Sequence, residues 1–500
     1  MSPAPALGVN TLAAFRLVSR QNNPYATAFG ASSAMPKLGA YDKIPLLKHS
    51  LKVNREFEKD ETLDGIAGYS RNDGISVMPA GSLDCNGAYL GLDALIAAAM
   101  GIEKFRGSAV ESPAFGVAGN GAPVTGTTAA GTTGTALVAS ASVFAASNVG
   151  DWVRIQELST TPHLFDQVRK ITAYASGTSV TIAPSWTTGG GSDPGAGKSF
   201  AVAREFLHTF ECSKNMHGEN PQDIMSGAWA TGIGTGKYIN RHGVLVTWDG
   251  WQHEEWQFCF VKKMTIKLDP KGGVLFGFEL VPLYRDLTNA NSQDRLLWEY
   301  TNGSGAVPLA GSSFMVYERV LFPDAVFRLG AFSTGTPLGS GDNLGIADYE
   351  LVVENPLDDA QQTTETGLYR IEPARSGKRD IYGSFTVARY VTNARITQFM
   401  NETNLMASLS FTGSTIATGI SNALTLWMRR LRLETPDTSI PGPGVRPEKH
   451  SFRLLHCDSV TGNPNGMPTP TSGNGIENGP LIIQTRNQNP FNAFMAQNQE

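Results

Sequence analysis

The sequence carries the same succession of segments twice, about 300 residues apart. The first copy runs from an alternating segment at 51–56 to a Gly-Ser-Leu tripeptide at 81–83 and an apolar helical stretch. The second runs from 349–354 to a Gly-Ser-Phe tripeptide at 383–385 and another helical stretch. In an alternative register, 264–280 would match 349–354 instead. A repeated module with no catalytic set in either copy is typical of a ring-forming building block and not of an enzyme.

Length and composition favour a large structural protein rich in β-structure. Five hundred residues exceed one typical hydrophobic core, so we expect two or three domains. Only 17% of the residues are charged, against about a quarter in an average protein, and 54 are glycine. This composition suits surfaces that neighbouring subunits cover. The net charge of −5 argues against a protein that wraps nucleic acid.

Targeting and redox signals indicate assembly in a reducing cytoplasm. The N-terminus has no basic segment followed by an apolar core, so we predict no signal peptide. No apolar run approaches the ~20 residues that a membrane helix needs. The four cysteines, Cys85, Cys212, Cys259 and Cys457, form no Cys-x-x-Cys pair. We expect buried free thiols, and neither zinc sites nor disulfides.

Changes in composition divide the chain into parts. The periodicity of a first module stops at a Gly-, Thr- and Ala-rich stretch and resumes later, which predicts an inserted domain that projects outward. Both ends are polar and weakly periodic, which predicts arms. The expected parts are an N-terminal arm at 1–40, a first domain at 41–110 with 200–290, an inserted β domain at 111–199, a second domain at 291–459 and a C-terminal arm at 460–500.

Local patterns predict individual elements. Apolar residues at helical spacing between 92 and 99 predict a short amphipathic helix, and Gly101 is placed to end it. The segment 393–401 predicts a second short helix. Alternating apolar residues on either side of a Pro-Lys-Gly-Gly turn predict a hairpin over 261–268 and 274–280.

The inserted region has its own strand pattern. Segments at 152–155, 168–173 and 179–183 are short, closely spaced and bounded by turn residues. Such spacing predicts a small β-barrel or sandwich.

Motifs that could carry chemistry are incomplete. The segment 191–199 ends in Gly-Lys-Ser, but its first glycine lies one residue too early for a phosphate-binding loop. His253 opens a segment without the second histidine of a zinc peptidase. His208 and His217 have no carboxylate-rich frame, and 358–359 lacks the later ligands of a calcium loop. We predict no catalytic, cofactor-binding or metal-binding residues, and no enzyme activity.

Two side-chain clusters leave alternatives open. The tryptophan cluster at 248–256 suits a sugar-stacking platform or, as we favour, an aromatic core or subunit contact. Arg429, Arg430 and Arg432 are the densest basic cluster. They favour a structural arginine face or a subunit salt bridge over a contact with DNA.

The order of these segments resembles the major tail tube protein family of long-tailed bacteriophages. The stretch 348–413 fits the family pattern best, and 41–110 with 200–290 fits it more loosely, together a little under half of the chain. The segment at 149–153 is similar to the small β decorations that some members carry. Members usually have one tube domain, whereas the repeat predicts two in this chain.

The resemblance implies a mainly β fold with two tail-tube-like β-sandwich domains, each with a flanking short helix, plus the inserted small β domain. It implies rings that stack into a hollow tube in the virion, and two modules per chain imply homotrimeric rings with pseudo-sixfold symmetry. The arms would bridge rings, and DNA would pass through a neutral-to-acidic lumen without specific binding. The implied partners are a tape measure protein and tail-end proteins, with no cofactor and no membrane. The exposed insertion favours a non-contractile tail, assembled in the host bacterial cytoplasm.

Other classes remain open at this point. A capsid or decoration protein would also be a virion structural protein, but a long spine helix and a charged arm are absent from the pattern. A carbohydrate-binding or adhesin-like β-protein would use the tryptophan cluster and adjacent carboxylates.

Overall fold

The computed structural model of the chain is mainly β. It describes residues 12–17, 42–59, 72–103, 114–156, 166–183, 185–186, 194–212, 242–248, 253–286, 317–360, 362, 373–389, 393–434, 447–457, 464–468 and 479–490.

The strands of these segments fall in three sheets. In the first half they are β1 (Leu12–Leu17), β2 (Leu46–His49), β3 (Lys52–Lys59), β4 (Asn72–Asn86), β5 (Gly101–Glu103), β6 (Ala114–Phe115), β7 (Val124–Thr127), β8 (Ala136–Val138), β9 (Trp152–Gln156), β10 (Asp166–Ser176), β11 (Ser179–Ala183), β12 (Ser199–Ala203) and β13 (Phe206–Cys212). The remainder are β14 (His242–Trp248), β15 (His253–Asp269), β16 (Gly273–Val281), β17 (Tyr284–Asp286), β18 (Ala325–Ala331), β19 (Ile346–Glu354), β20 (Leu357–Asp358), β21 (Ala374–Arg375), β22 (Asp380–Val387), β23 (Leu405–Ala417), β24 (Ile420–Leu433), β25 (Glu448–Leu454) and β26 (Leu481–Asn487). The α-helices are α1 (Asp93–Met100) and α2 (Ala394–Met400).

Strands of the first half form a closed antiparallel circuit, which we call unit 1. The order is β1, β14, β15, β16 and β4, with β2 and β3 sharing the far edge of β4. The circuit closes where the Ile44 amide donates to the Ala13 carbonyl (2.9 Å) and Ala14 bridges Lys43.

Strands of the second half repeat this circuit, and we call it unit 2. The order is β18, β23, β24, β25, β22 and β19, again antiparallel throughout. It closes in the same way, because the Leu344 amide donates to the Phe327 carbonyl (2.9 Å) and Arg328 bridges Asn343. The two circuits therefore have the same connectivity, with α1 and α2 each following the fifth strand of the order.

The units also share their irregularities. The β14–β15 ladder shifts register after Trp256, and the β23–β24 ladder shifts at the corresponding step after Met428. The β2–β4 ladder shifts register between Leu46 and Lys48, and the β19–β22 ladder shifts between Ile346 and Asp348. Both shifts lie opposite the end of the strand that leads into the helix. Because β-bulges re-aim a strand and are designed features of a fold, two shared bulges support one module present twice.

The ladders fix which residues of the two units are equivalent. Gly81 pairs with Leu280 as Gly383 pairs with Phe452. The two Gly-Ser tripeptides are therefore equivalent, as the sequence pattern predicted. Neither glycine has room for a side chain, since a Cβ atom would lie 2.5 Å from the Leu51 Cα atom or, at Gly383, 2.3 Å from a backbone carbonyl oxygen.

The predicted alignment of 51–56 with 349–354 is wrong by two residues. His49 faces Leu83 as Tyr349 faces Phe385, so Leu51 is equivalent to Leu351 and not to Tyr349. In the alternative register, 264–280 is not an equivalent of β19. It is the predicted hairpin β15–β16, and it pairs physically with β19.

One hydrophobic core runs through both units. It includes inward residues of the β15–β16 hairpin, such as Met264, Ile266 and Leu268, as the alternation predicted. Helix α1 is buried along nearly its whole length and ends at Gly101 in the left-handed region (φ 95°). Helix α2 also forms where predicted, but none of its residues is fully buried.

The inserted region folds into a closed six-stranded barrel. The order β7, β12, β9, β10, β11 and β8 is antiparallel, and the Thr128–Ala139 bridge closes it. A separate core fills it, including Val153, Ile155 and Phe200. The closed ladder leaves no free strand edge in the barrel wall, so this module does not need a neighbour to complete its sheet.

A buried carboxylate fastens the barrel where the chain leaves it. Asp151 is fully buried and accepts hydrogen bonds from the Gly119 amide (2.9 Å), the Asn148 side chain (3.0 Å) and the Arg204 guanidinium (2.6 Å). These bonds tie together the entry and exit of the inserted domain.

Parts of both predicted arms belong to the body. β1 is a strand of unit 1, although it lies within 1–40. β26 lies within 460–500, and it pairs with β13 on one side and β24 on the other. Both segments are apolar enough to complete a sheet of their own chain, which corrects the arm assignment for 12–17 and 481–487. In the parts of the chain that are described, no helix is long and apolar enough to cross a membrane.

Candidate assembly surfaces

The two units are joined edge to edge by backbone pairing. Residues 263–268 of β15 pair antiparallel with 349–354 of β19. This makes one continuous sheet in the order β2 with β3, β4, β16, β15, β19, β22, β25 and β24. We call the β15–β19 contact the internal joint.

Polar side chains of unit 2 close the internal joint over the end of α1. The Asn355 amide nitrogen donates to the Ala99 carbonyl (3.0 Å) and the Val261 carbonyl (3.1 Å). Arg379 holds Asn355 through its Nε atom (2.7 Å) and donates to the Met100 carbonyl through Nη1 (2.9 Å). The C-terminal carbonyls of α1 therefore bind groups from the other unit.

An apolar contact completes the internal joint. Leu357, just beyond β19, is 6% exposed. It packs in a separate apolar cluster with residues of unit 1 and the strand connection that follows it, namely Ala14, Val244, Val246, Phe258, Phe260, Val281 and Leu283. Burying the leucine there stabilises the contact by about 1.5–3 kcal/mol.

The strand equivalent to β19 lies at an exposed edge. Within the described segments, β3 pairs with β4 alone. The ladders make Asn54 equivalent to Glu354, and counting onward along the chain places Arg55 at the position of Asn355 and Phe57 at the position of Leu357. Phe57 is 51% exposed, and the Arg55 guanidinium lies over its ring at 5.4 Å from the centroid. An exposed strand edge is a template for pairing with another chain.

Unit 2 carries arginines where unit 1 has its apolar cluster. Counting from the shared bulge, Arg430 and Arg432 are equivalent to Phe258 and Phe260. Both Arg430 Nε (3.3 Å) and Arg432 Nε (3.0 Å) donate to the side-chain oxygen Oδ1 of Asn404. We call Arg430, Arg432 and the neighbouring Arg453 the arginine face.

Acidic side chains next to the arginine face form ion pairs with two of its arginines. Arg432 pairs with Glu402 at 3.0 Å, and Arg453 pairs with Asp380 and Glu434. The hydrogen bond with Glu434, aided by the Asp380 carboxylate, raises the pKa of Arg453 above its ordinary value.

Arg429, the first arginine of the predicted cluster, points the other way. It is fully buried and pairs with Glu211 of β13 at 2.7 Å. It also donates to the Gly479 carbonyl (3.0 Å) and the Pro468 carbonyl (3.0 Å). The sequence cluster therefore divides into a buried salt bridge within the chain and a solvent-facing pair.

The end of α2 is exposed where the end of α1 is covered. Met100 and Met400 are the last residues of the two helices. Met100 is fully buried, whereas Met400 is 70% exposed. The last turn of α2 contains no basic residue.

The non-core face of the continuous sheet carries balanced charge. Along unit 1 and its boundary with unit 2 this face forms a groove lined by lysines and carboxylates. The ion pairs are Lys48 with Asp84 (3.1 Å), Lys263 with Glu279 (3.8 Å) and Lys267 with Glu350 (3.2 Å). Three cations facing three carboxylates give this groove no net positive charge for binding phosphates.

The phosphate-loop-like segment is used within the barrel. Thr128 donates through its hydroxyl to the Gly195 carbonyl (2.7 Å). In return it accepts from the Gly197 amide (2.7 Å) and the Lys198 amide (2.9 Å). These amides are therefore engaged by Thr128, and residues 191–193 lie outside the described part.

The histidine and acidic motifs are dispersed. His253 begins a strand and not a helix, and the nearby Glu255 is fully buried. His208 is buried with Nε2 at 2.9 Å from the Asn489 carbonyl, while His217 is outside the described residues. Asp359 contacts Lys262 at 3.3 Å. No three His, Cys, Asp or Glu side chains come together as a metal site in the segments that are described.

Trp256, the one tryptophan of the 248–256 cluster whose side chain is described, is not part of a surface platform. Trp256 is fully buried in the shared core, with the Arg285 guanidinium 5.2 Å from its ring centroid. Trp251 and the side chain of Trp248 lie outside the described residues. Trp256 thus favours the core interpretation.

All four cysteines are buried and free, as expected. Burial raises the pKa of the Cys85 thiol to about 12, and the Asp84 carboxylate adds to this effect. Burial likewise raises the pKa of Cys259. Such thiols are poor nucleophiles and pack as small apolar residues.

Sequence reasoning missed Arg55, Phe57 and Glu211. The available signal for Phe57 was a single aromatic among charged residues in a strand with one wet face. For Glu211 the sequence gives no sign of its distant partner, Arg429. No family model matches the chain, and no curated protein is significantly similar to it. The proposals below therefore depend on the residues and their geometry.

Proposed function

We propose that this chain is a structural virion protein, and not an enzyme, whose copies associate head to tail into the rings of a bacteriophage tail tube. The observation that carries the proposal is the internal joint. It pairs β15 of unit 1 with β19 of unit 2, and the strand equivalent to β19 in unit 1, β3, lies at an exposed edge. The β3 edge of one copy therefore offers one half of the same contact to unit 2 of a second copy.

Repetition of one head-to-tail contact yields a closed ring or an open helix, depending on the rotation. Two equivalent units per chain already contain one such contact. Three chains would supply six units, so a homotrimer would form a ring with pseudo-sixfold symmetry. Closure pairs every strand edge of this kind, which removes the aggregation hazard of an exposed edge.

The continuous sheet supports a tubular lumen. Eight strand positions follow one another across the chain, and three copies would extend this sheet around a ring. One face packs on the core, so the opposite face would line the channel. Its ion-paired groove is charge-balanced and lacks a positive patch. Such a lining would let DNA pass without binding its phosphates tightly.

The remaining features fit the same role. The barrel at 124–203 is complete in itself and would decorate the outer surface, which favours a non-contractile tail. Stacked rings would contact a tape measure protein within the tube and tail-end proteins at its tip. Assembly would take place in the bacterial cytoplasm before incorporation in the virion.

Mass photometry over a dilution series tests the head-to-tail association. We expect a species at three times the 53.5 kDa chain mass, and multiples of that mass as rings stack. Dimers that do not grow at higher concentration would point to a two-fold contact and contradict the proposal. A single species of one chain mass at every concentration would contradict it as well.

A further inference from the structure

We infer that the joint between chains is a replica of the internal joint in position but not in chemistry: Arg55 and Phe57 of one chain dock on the arginine face and the α2 end of the next. This inference rests on the head-to-tail assembly proposed above. It names the side chains that recognise the second copy.

Exposure identifies the two halves of this contact. Leu357 lies in the internal joint and is 6% exposed, and Met100 is the last residue of the helix whose end carbonyls the joint covers. Their equivalents, Phe57 and Met400, are 51% and 70% exposed. Both side chains therefore leave apolar area in water that a partner surface could bury. One of the pair lies on the β3 edge and the other on unit 2, as a head-to-tail contact requires.

The side chains that would receive Phe57 differ from those that receive Leu357. Leu357 packs with Phe258 and Phe260, whereas the equivalent surface of unit 2 presents Arg430 and Arg432. The face of an aromatic ring attracts a guanidinium, and the arginine stems offer apolar area to it. A phenylalanine suits this surface better than a leucine would, because leucine has no π-face.

Arg55 complements the end of α2. Its equivalent, Asn355, donates to the Ala99 carbonyl near the end of α1, and Arg379 donates both to Asn355 and to the Met100 carbonyl. A guanidinium carries five donors and a positive charge, so Arg55 alone could donate the hydrogen bonds that Asn355 and Arg379 share at the end of α1. The last turn of α2 has no basic residue of its own, and a cation is favourable beside C-terminal helix carbonyls.

The chemical difference has a consequence for assembly. The internal joint buries an apolar cluster within the chain, so it persists at any dilution. The joint between chains uses guanidinium groups that stay partly solvated, and salt screens such groups. We therefore expect rings to dissociate at high ionic strength into folded chains whose internal joint is intact.

Site-specific photocrosslinking tests the docking. We would place p-benzoylphenylalanine at Phe57, or at Tyr174 of the barrel as a control with similar exposure (40%). Chains labelled with ¹⁴N and ¹⁵N are mixed, assembled and irradiated. The expected product joins residue 57 of one chain to a peptide of another chain containing 398–402 or 428–433. The Tyr174 control should give no such product.

A pair of substitutions provides a second readout. Phe57→Ser should raise the concentration for half-maximal assembly about tenfold or more, as expected when an aromatic anchor is removed. Tyr174→Ser should leave that concentration unchanged. Circular dichroism of both variants would check that each remains folded.

The outcomes separate this inference from the proposed function. Rings with crosslinks from residue 57 to other surfaces, or with normal assembly of Phe57→Ser, would overturn the docking and leave the ring intact. Chains that stay monomeric under all conditions would overturn both.

Discussion

Phe57 and Leu357 occupy the same position in two units of identical strand order, yet their side chains are 51% and 6% exposed. The difference comes from what each one faces. Leu357 packs against unit 1 of its own chain, and Phe57 lies on the edge strand β3. The chain thus contains one copy of a contact that its own residues bury and one that they leave at the surface.

Truncation of Leu357 should reduce the stability of the single chain, whereas truncation of Phe57 should weaken assembly. Leu357→Ala removes a buried side chain and should lower the free energy of unfolding by about 2–5 kcal/mol. Phe57→Ala should change the free energy of unfolding of the monomeric chain by less than about 0.5 kcal/mol, but it should weaken assembly. Urea unfolding at low protein concentration measures the first effect. Equal destabilisation by both variants would contradict the exposed position of Phe57.

The buried salt bridge between Glu211 and Arg429 should be essential for the fold. Glu211→Gln leaves the Arg429 charge buried without its carboxylate, and we expect a loss of about 3–5 kcal/mol. Glu402→Gln, which breaks the exposed pair with Arg432, should lose no more than about 1 kcal/mol. Denaturant unfolding of the two variants gives the comparison. Similar small losses in both would show that Arg429 finds other partners or water.

A central glycine of the repeat should resist substitution. At Gly383 a Cβ atom would lie 2.3 Å from the Glu350 carbonyl oxygen and 2.6 Å from the Phe452 ring. We expect Gly383→Ala to lower the free energy of unfolding by at least about 1–3 kcal/mol. Gly345→Ala is the control, because nothing lies within 4 Å of its Cβ position. A neutral Gly383→Ala would mean that the β19–β22 ladder yields easily.

The Glu318 carboxylate should make the stability fall in acid. Partial burial alone would raise its pKa, but hydrogen bonds from the Ser414 hydroxyl and amide and from Asn422 lower the pKa below the ordinary value. An acid with a depressed folded-state pKa adds stability above its unfolded pKa, and that stability is lost as the pH falls through the folded pKa. The Glu318 side chain is only half-buried, so solvent screening should limit its contribution to at most about 1 kcal/mol.

The comparison variant is Glu318→Gln. Its difference in unfolding free energy from the native chain should be largest near pH 7. That difference should disappear once the pH has fallen through the folded-state pKa of Glu318, because both side chains are then neutral. A difference that persists at low pH would assign the effect to packing and not to charge.

Local patterns predicted the local elements well. The helix that ends at Gly101, the β15–β16 hairpin and the equivalence of Gly81 with Gly383 all follow from spacing or from glycine geometry. These features depend on contacts near in sequence, or on a position where only glycine fits. The same patterns do not predict the strands 12–17 and 481–487, because six or seven residues carry little periodicity and their ladders join distant segments.

The assembly surfaces could not be predicted from the same patterns. α1 and α2 have similar sequence signals, but only α1 is covered, by Asn355 and Arg379 from some 250 residues or more along the chain. Whether Arg430 faces solvent and Arg429 the interior depends on a bulge in β24. Sequence alternation alone assigns neighbouring arginines to opposite faces but does not reveal which face is covered.

Negative-stain electron microscopy of end-on views of the purified protein tests the central claim most directly. We expect hollow rings or stacked tubes with six similar lobes around the channel and three outer projections, one for each inserted barrel. Rings with two-fold symmetry, rings without a channel, or compact single chains at concentrations well above those used for mass photometry would contradict it.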